Sequence, residues 1–184
     1  PVLEEVIKQD PSSKIPHRKL AEAYIFIDNL DLAAKAYEEL FKIDPRDFRV
    51  AINISDVYLD NGDFRQAIKW ADKATDIDSK SADALGQKGK VYYYGWDSFR
   101  QNPFTNDDRL VAKLAYNYFI KAENRGYKGF SKSIWLKENE KDVLYGKAQW
   151  FMADDKVKRN RKISTLSSDY SWVTESLDAE EGWK

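Results

Sequence analysis

Residues 44–81 read DPRDFRVAINISDVYLDNGDFRQAIKWADKATDIDSKS. The stretch opens on Asp44-Pro45 and carries Asp78-Ser79 near its end, and upstream Asp10-Pro11 stands at the same spacing of 34 residues. Sliding the chain by 34 superposes Tyr24, Tyr58 and Tyr92, then Ala21, Ser55 and Gly89, then His17, Ala51 and Leu85. A fixed period of this length is the mark of a repeat architecture, in which each unit buries its apolar face only against its neighbours. Inside the quoted unit, Ala51, Ile54, Ser55 and Tyr58 follow the i, i+3, i+4, i+7 rhythm of an amphipathic helix. Asn61-Gly62-Asp63 then supplies a turn, and Ala67, Ala71 and Ala74 share one face of a second helix over 64–77. Residues 17–24 and 33–40 repeat the pattern, with Ala33, Tyr37 and Leu40 on the second helix.

This helix-turn-helix of 34 residues places a small residue one turn before a tyrosine, an alanine and an aromatic in the second helix, and Asp-Pro at its close. It resembles the tetratricopeptide repeat. The resemblance implies an all-α fold, a right-handed α-α superhelix of 34-residue helix-turn-helix repeats with a C-terminal helical cap. Residues 1–13 read as the end of a preceding repeat helix, with Leu3 and Val6 on its apolar face, so the sequence is expected to start within a repeat. Residues 14–47 and 48–81 are the first and second complete repeats. Residues 82–129 form a divergent third repeat with an inserted loop near 97–106, and it carries Lys88 where Leu20 and Ile54 stand. Its second helix is expected over 108–125, with Ala115, Phe119 and Ala122. The loop, rich in Phe99, Asn102, Pro103 and Phe104, either serves a function or tucks over the edge of the repeat, and packing is favoured. Residues 130–155 read as a capping helix or helices broken near Asn139. Residues 156–184 divide into basic and acidic halves and read as a charged tail, partly ordered by Tyr170, Trp172 and Trp183.

Composition narrows the function. The 184 residues hold 30 Lys and Arg against 31 Asp and Glu, no cysteine and a single histidine, His17. Disulfides, thiolate zinc sites and a cysteine nucleophile are therefore excluded, and a histidine-rich metal site is impossible. Near-neutral charge removes the simplest case for nucleic acid, which needs a basic excess or a segregated basic face. The longest strongly apolar run, 23–27, is far shorter than the roughly 20 residues that cross a bilayer. His17 falls at a core-facing position and reads as a packing residue. No glycine-rich phosphate loop or nucleophile elbow occurs, and the paired carboxylates read as solvated faces or helix-start charges. The chain is thus expected to be no enzyme and to need no cofactor or metal. The cytoplasm is the favoured compartment, and a targeting signal upstream of Pro1 stays open.

A binding surface remains. In the tetratricopeptide family the first helices of successive repeats line a concave groove, which here implies a partner-binding stripe of Arg18, Lys19, Glu22, Phe26, Arg49, Asn53, Asp56, Asp60, Asp83, Gln87, Lys90 and Tyr94. Its four cations and four acids balance. One subclass of the family grips a terminal carboxylate with Lys, Asn and Arg. Here Arg18 and Asn53 match, but Glu22, Asp83 and Gln87 do not, and an acid facing a carboxylate opposes binding. The expected function is a protein-protein interaction scaffold or adaptor holding a mixed-charge, partly aromatic peptide or protein. The alternatives are self-association and an accessory role positioning an upstream catalytic domain. The basic run 156–162 is read as a solvated linker rather than a contact for nucleic acid or acidic lipid.

Overall fold

Asp10, Asp44 and Asp78 each turn a carboxylate back onto the backbone two residues ahead, accepting from the N–H of Ser12 at 3.1 Å, Arg46 at 3.4 Å and Lys80 at 3.0 Å. An aspartate does this readily because its side chain mimics a backbone turn. In the computed structural model, which describes residues 2–183, each turn joins one helical hairpin to the next. The helices of this region are α1 (Val2–Gln9), α2 (Lys14–Phe26), α3 (Leu30–Ile43), α4 (Phe48–Asp60), α5 (Phe64–Ile77), α6 (Ala82–Phe99) and α7 (Asn106–Glu123).

Helix starts carry the same period. Asn29 caps α3 and Asp63 caps α5 by accepting from Leu32 and Gln66, and Asp47 and Ser81 cap α4 and α6. Each such cap contributes about 1 kcal/mol by satisfying a backbone donor with no helical partner. Between the helices of the first two hairpins the chain must turn left-handed, with φ of 57° at Asp28 and 75° at Gly62. The equivalent position in the third unit is Trp96, and there α6 simply continues to Phe99.

Successive hairpins α2/α3, α4/α5 and α6/α7 stack into the all-α repeat superhelix. Ala21, Ala33, Ala51, Ala67 and Ala71 are fully buried where helices approach closely. Gly89 goes further, since a Cβ there would run into the Phe119 ring. Of the aligned tyrosines, Tyr92 is enclosed but Tyr24 and Tyr58 are only half-buried, because their hydroxyls reach out to Glu4 and Glu38. Tyr37, Leu40 and Ile54 fill the first core instead.

The sequence reading differs from the structure in three places. The helix expected over 108–125 starts at Asn106, where Thr105 and Asp108 form a reciprocal capping box. The cap is broken more finely than expected, into α8 (Ser133–Glu138), α9 (Glu140–Val143) and α10 (Lys147–Phe151), followed by α11 (Asp155–Asn160). Residues 156–183 are ordered further than the partial order expected from Tyr170, Trp172 and Trp183. They pair β1 (Lys162–Ile163) antiparallel with β2 (Leu177–Asp178) and bury Ile163, Tyr170, Trp172, Leu177 and Trp183 in the second core. Trp172 fills the notch left by Gly95, stacking on Tyr92 at 5.8 Å and lying 5.6 Å from Phe64. The inserted loop packs too: Phe99 meets Phe64 and Tyr170, and Phe104 meets Trp96.

Candidate functional site: the face of the first helices

The stripe residues lie on α2, α4 and α6, and the 34-residue offset predicts which of them meet. Asp56 of α4 is the meeting point. Its Oδ1 accepts from Lys90 Nζ at 2.7 Å and from Gln87 Nε2 at 2.8 Å, and Gln87 also donates to Ser55 Oγ at 3.0 Å. Ser55 in turn donates to the Ala67 carbonyl at 2.8 Å. A chain of bonds thus runs from α6 through α4 to α5.

That chain corrects one candidate. Gln87 is only 3% exposed, so it is an inter-repeat tie and not a groove residue. Its amide would be costly to bury without partners, and it has two. Asp56 and Lys90, half-buried and paired, are largely consumed by the same tie.

The other cations are also occupied. Lys19 holds Glu22 at 3.0 Å, Arg18 lies 3.9 Å from Asp47, and the Arg49 guanidinium sits 5.0 Å from the Phe48 ring centroid. Asp60 and Asp83 stay exposed with no hydrogen bond or ion pair among the described residues. Loss of hydration lifts the Asp60 carboxyl above the usual carboxylate range, Lys90 draws it back, and Asp56 adds to the lift. Asn53 is half-buried. Phe26 is 91% exposed at the end of α2, and Ile15 is exposed at its start. The balanced charge of the sequence therefore resolves into three cations beside carboxylates, Arg49 beside a ring alone, and two acids, Asp60 and Asp83, without an ion pair among the described residues.

Two aromatic residues missing from the sequence reading close one end. Tyr127 lies over Gly86, whose missing Cβ makes room for the ring, and Phe130 stacks on Tyr94 at 5.1 Å with an interplanar angle of 27°. Burial raises the Tyr127 pKa, and the charges of Asp56 and Asp83 raise it further. The glycine at 86, aligned with Arg18 and Ile52, was the available signal that something approaches α6 closely.

His17 is buried with Nε2 3.1 Å from the Pro11 carbonyl oxygen and has no ion pair among the described residues. Among the described residues no group of three His, Asp or Glu side chains converges as a metal site would require. Nor, among the described residues, is any helix long and apolar enough to cross a membrane.

A family model described as tetratricopeptide repeat matches residues 28–90, the span from the turn before α3 to the middle of α6. Those residues are tetratricopeptide repeat. Two solved structures share the fold: one titled "Crystal structure of MamA protein", with TM-score 0.53 and 18% identity over 78% of this chain and 66% of that one, and one titled "MamA MSR-1 C2", with TM-score 0.50 and 18% identity over 67% and 63%. The chain thus spans just under two thirds of the length of these structures. YrrB, titled "a TPR protein with an unusual peptide-binding site", aligns with TM-score 0.43 and 14% identity over 68% of this chain and 75% of that one. No curated protein matches the sequence.

Proposed function

We propose that the chain is a non-catalytic interaction scaffold that holds a peptide or protein segment against α2, α4 and α6. The observation that carries this reading is the pairing pattern on that face. Lys90, Arg18 and Lys19 are engaged by carboxylates within the protein and Arg49 lies against the Phe48 ring, while Asp60 and Asp83 are exposed with no hydrogen bond or ion pair among the described residues and Phe26 and Ile15 are exposed. A segment bearing cationic and apolar side chains satisfies all four. A terminal carboxylate does not, because Glu22, Asp60 and Asp83 oppose it and Gln87 is unavailable to donate.

The experiment is a selection of peptides from a random display library on the immobilised chain, followed by fluorescence-polarisation titration of a winning peptide. The reading expects winners enriched in Lys or Arg with apolar neighbours. Asp60→Lys and Asp83→Lys should each weaken binding at least about ten-fold, since a like charge placed across an interface costs several kcal/mol. Winners that bind both variants like the parent chain overturn the assignment.

A further inference from the structure

Residues 147–166 carry Lys147, Lys156, Lys158, Arg159, Arg161 and Lys162 against Asp154 and Asp155, a local excess of four positive charges in a chain whose net charge is −1. The fold keeps these charges available. Lys158 Nζ donates to the Phe151 carbonyl at 2.8 Å, and Arg161 donates to the backbone oxygens of Ala179 and Glu180 at 3.0 and 3.2 Å. Those bonds position the cations without neutralising them. Lys156, Arg159 and Lys162 are exposed and hold no ion pair among the described residues. Of the nearby acids, Asp107 is turned inward onto the N–H groups of Leu166 and Ser167, and Glu180 is held by Lys113. Asp178 stands opposite Lys162 in the β pairing.

Three large apolar side chains stand uncovered among these cations: Phe151 at 57% exposure, Met152 at 85% and Leu166 at 93%. Lys147 lies 5.6 Å from the Phe151 ring centroid, and Met152, Leu166, Val157 and Lys162 border a cleft of about 310 Å³ together with Asp154 and with Asp107, whose carboxylate is taken up by the Leu166 and Ser167 N–H groups. A single exposed apolar side chain is ordinary. Three within a segment carrying four excess positive charges, with Lys147 beside Phe151 and Lys162 beside Met152 and Leu166, are a pattern with a physical requirement: the partner must offer both apolar and anionic groups.

We propose that this face docks on an anionic phospholipid surface, with Phe151, Met152 and Leu166 entering the acyl boundary while the surrounding lysines and arginines meet headgroup phosphates. A bilayer interface supplies both chemistries in that order of depth. Nucleic acid would use the cations but leave Met152 and Leu166 in water. None of these residues belongs to the α2, α4 and α6 face, so both surfaces can be occupied at once.

The test is co-sedimentation of the whole chain with vesicles of phosphatidylcholine alone and of phosphatidylcholine mixed with phosphatidylserine. Binding is expected to the mixed vesicles only, and added salt should weaken it. Lys156→Gln, Arg159→Gln and Lys162→Gln should each lower the partition coefficient roughly five-fold. The triple variant Phe151→Ser, Met152→Ser, Leu166→Ser should lower it roughly ten-fold or more while the helical circular dichroism stays unchanged, since all three side chains already face water. Absence of binding to the mixed vesicles, equal binding to both vesicle types, or full binding by the serine variant each overturn the proposal. So does tighter binding to a labelled nucleic-acid duplex than to the mixed vesicles.

Discussion

The Tyr170 hydroxyl donates to Asp108 Oδ1 at 2.5 Å, and the two residues are only 2% and 1% exposed. On its other oxygen Asp108 accepts from Thr105 N–H at 2.7 Å, Thr105 Oγ1 at 2.8 Å and Gln101 N–H at 3.3 Å. One carboxylate therefore closes the inserted loop, starts α7 and anchors the C-terminal segment. Burial, and then the hydrogen bond to Asp108, hold the Tyr170 phenol well above the usual tyrosine range. The hydroxyl stays protonated, as a donor must.

Replacing Tyr170 by Phe removes that donor while keeping the ring contacts to Phe99 and Trp172. Asp108 Oδ1 is then left buried without its partner, and the expected loss is about 1–3 kcal/mol in urea unfolding. An unchanged midpoint would mean that water takes the hydroxyl's place at no cost.

Lys88 occupies the position of Leu20 and Ile54, and it is buried with Asp72 at 2.7 Å, Glu175 in direct contact and the Tyr118 ring centroid at 4.5 Å. Lys88→Met should cost about 3 kcal/mol, the low end for removing one member of a buried pair, because Asp72 and Glu175 each keep some contact with water. The double variant Lys88→Met, Glu175→Met should recover part of that loss in the same denaturation assay. A double variant no better than the single one would remove Glu175 from the pairing.

The same pair sets a pH dependence. Burial would raise the Glu175 pKa, but Lys88 outweighs it, and the carboxyl titrates below its ordinary 4.5. Its contribution to stability is therefore complete above pH 4.5 and is lost as pH falls through the folded value. Burial would lower the Lys88 pKa, but Asp72 and then Glu175 carry it above 10.5, so its contribution is complete below pH 10.5 and is lost at higher pH. The stability difference between the parent chain and Glu175→Gln should stay flat from pH 5 upward through neutrality and shrink below 4.5. A difference that grows on acidification contradicts this sign.

Gly89 meets Phe119 where no Cβ fits, and Phe119 is itself fully buried. Gly89→Ala should destabilise by about 1–3 kcal/mol through overpacking, despite the better helix propensity of alanine. A stabilised Gly89→Ala chain in thermal unfolding would show that α6 and α7 can separate freely.

The repeat was legible because its period is carried by local chemistry: aspartates at 10, 44 and 78 that fold onto their own backbone, and small residues at 21, 55 and 89 where helices touch. In the C-terminal segment the ordering aromatics Tyr170, Trp172 and Trp183 were legible but their contacts were not, because the notch at Gly95 that receives Trp172 lies in a different helix. Column alignment placed Gln87 with Lys19 and Asn53 on an open face. It could not register that Ser55 and Asp56 would draw that side chain inward, or that Tyr127 and Phe130 would return over α6. Tyr58 shares the amphipathic rhythm of Ala51, Ile54 and Ser55, yet its bond to Glu38 keeps the ring half-exposed, with burial and that bond pushing its pKa up to about 12. The pairing that occupies Arg18, Lys19 and Lys90 and leaves Arg49, Asp60 and Asp83 without an ion pair was likewise invisible to a count of four positives and four negatives.

The most direct test of the scaffold reading is hydrogen exchange of the whole chain with and without a display-selected peptide. Such exchange reports where backbone amides become protected on binding. The account predicts added protection concentrated in α2, α4 and α6, around Asp60, Asp83 and Tyr94, and none in residues 147–166. Protection confined to 147–166, with the three first helices exchanging as in the free chain, would contradict it.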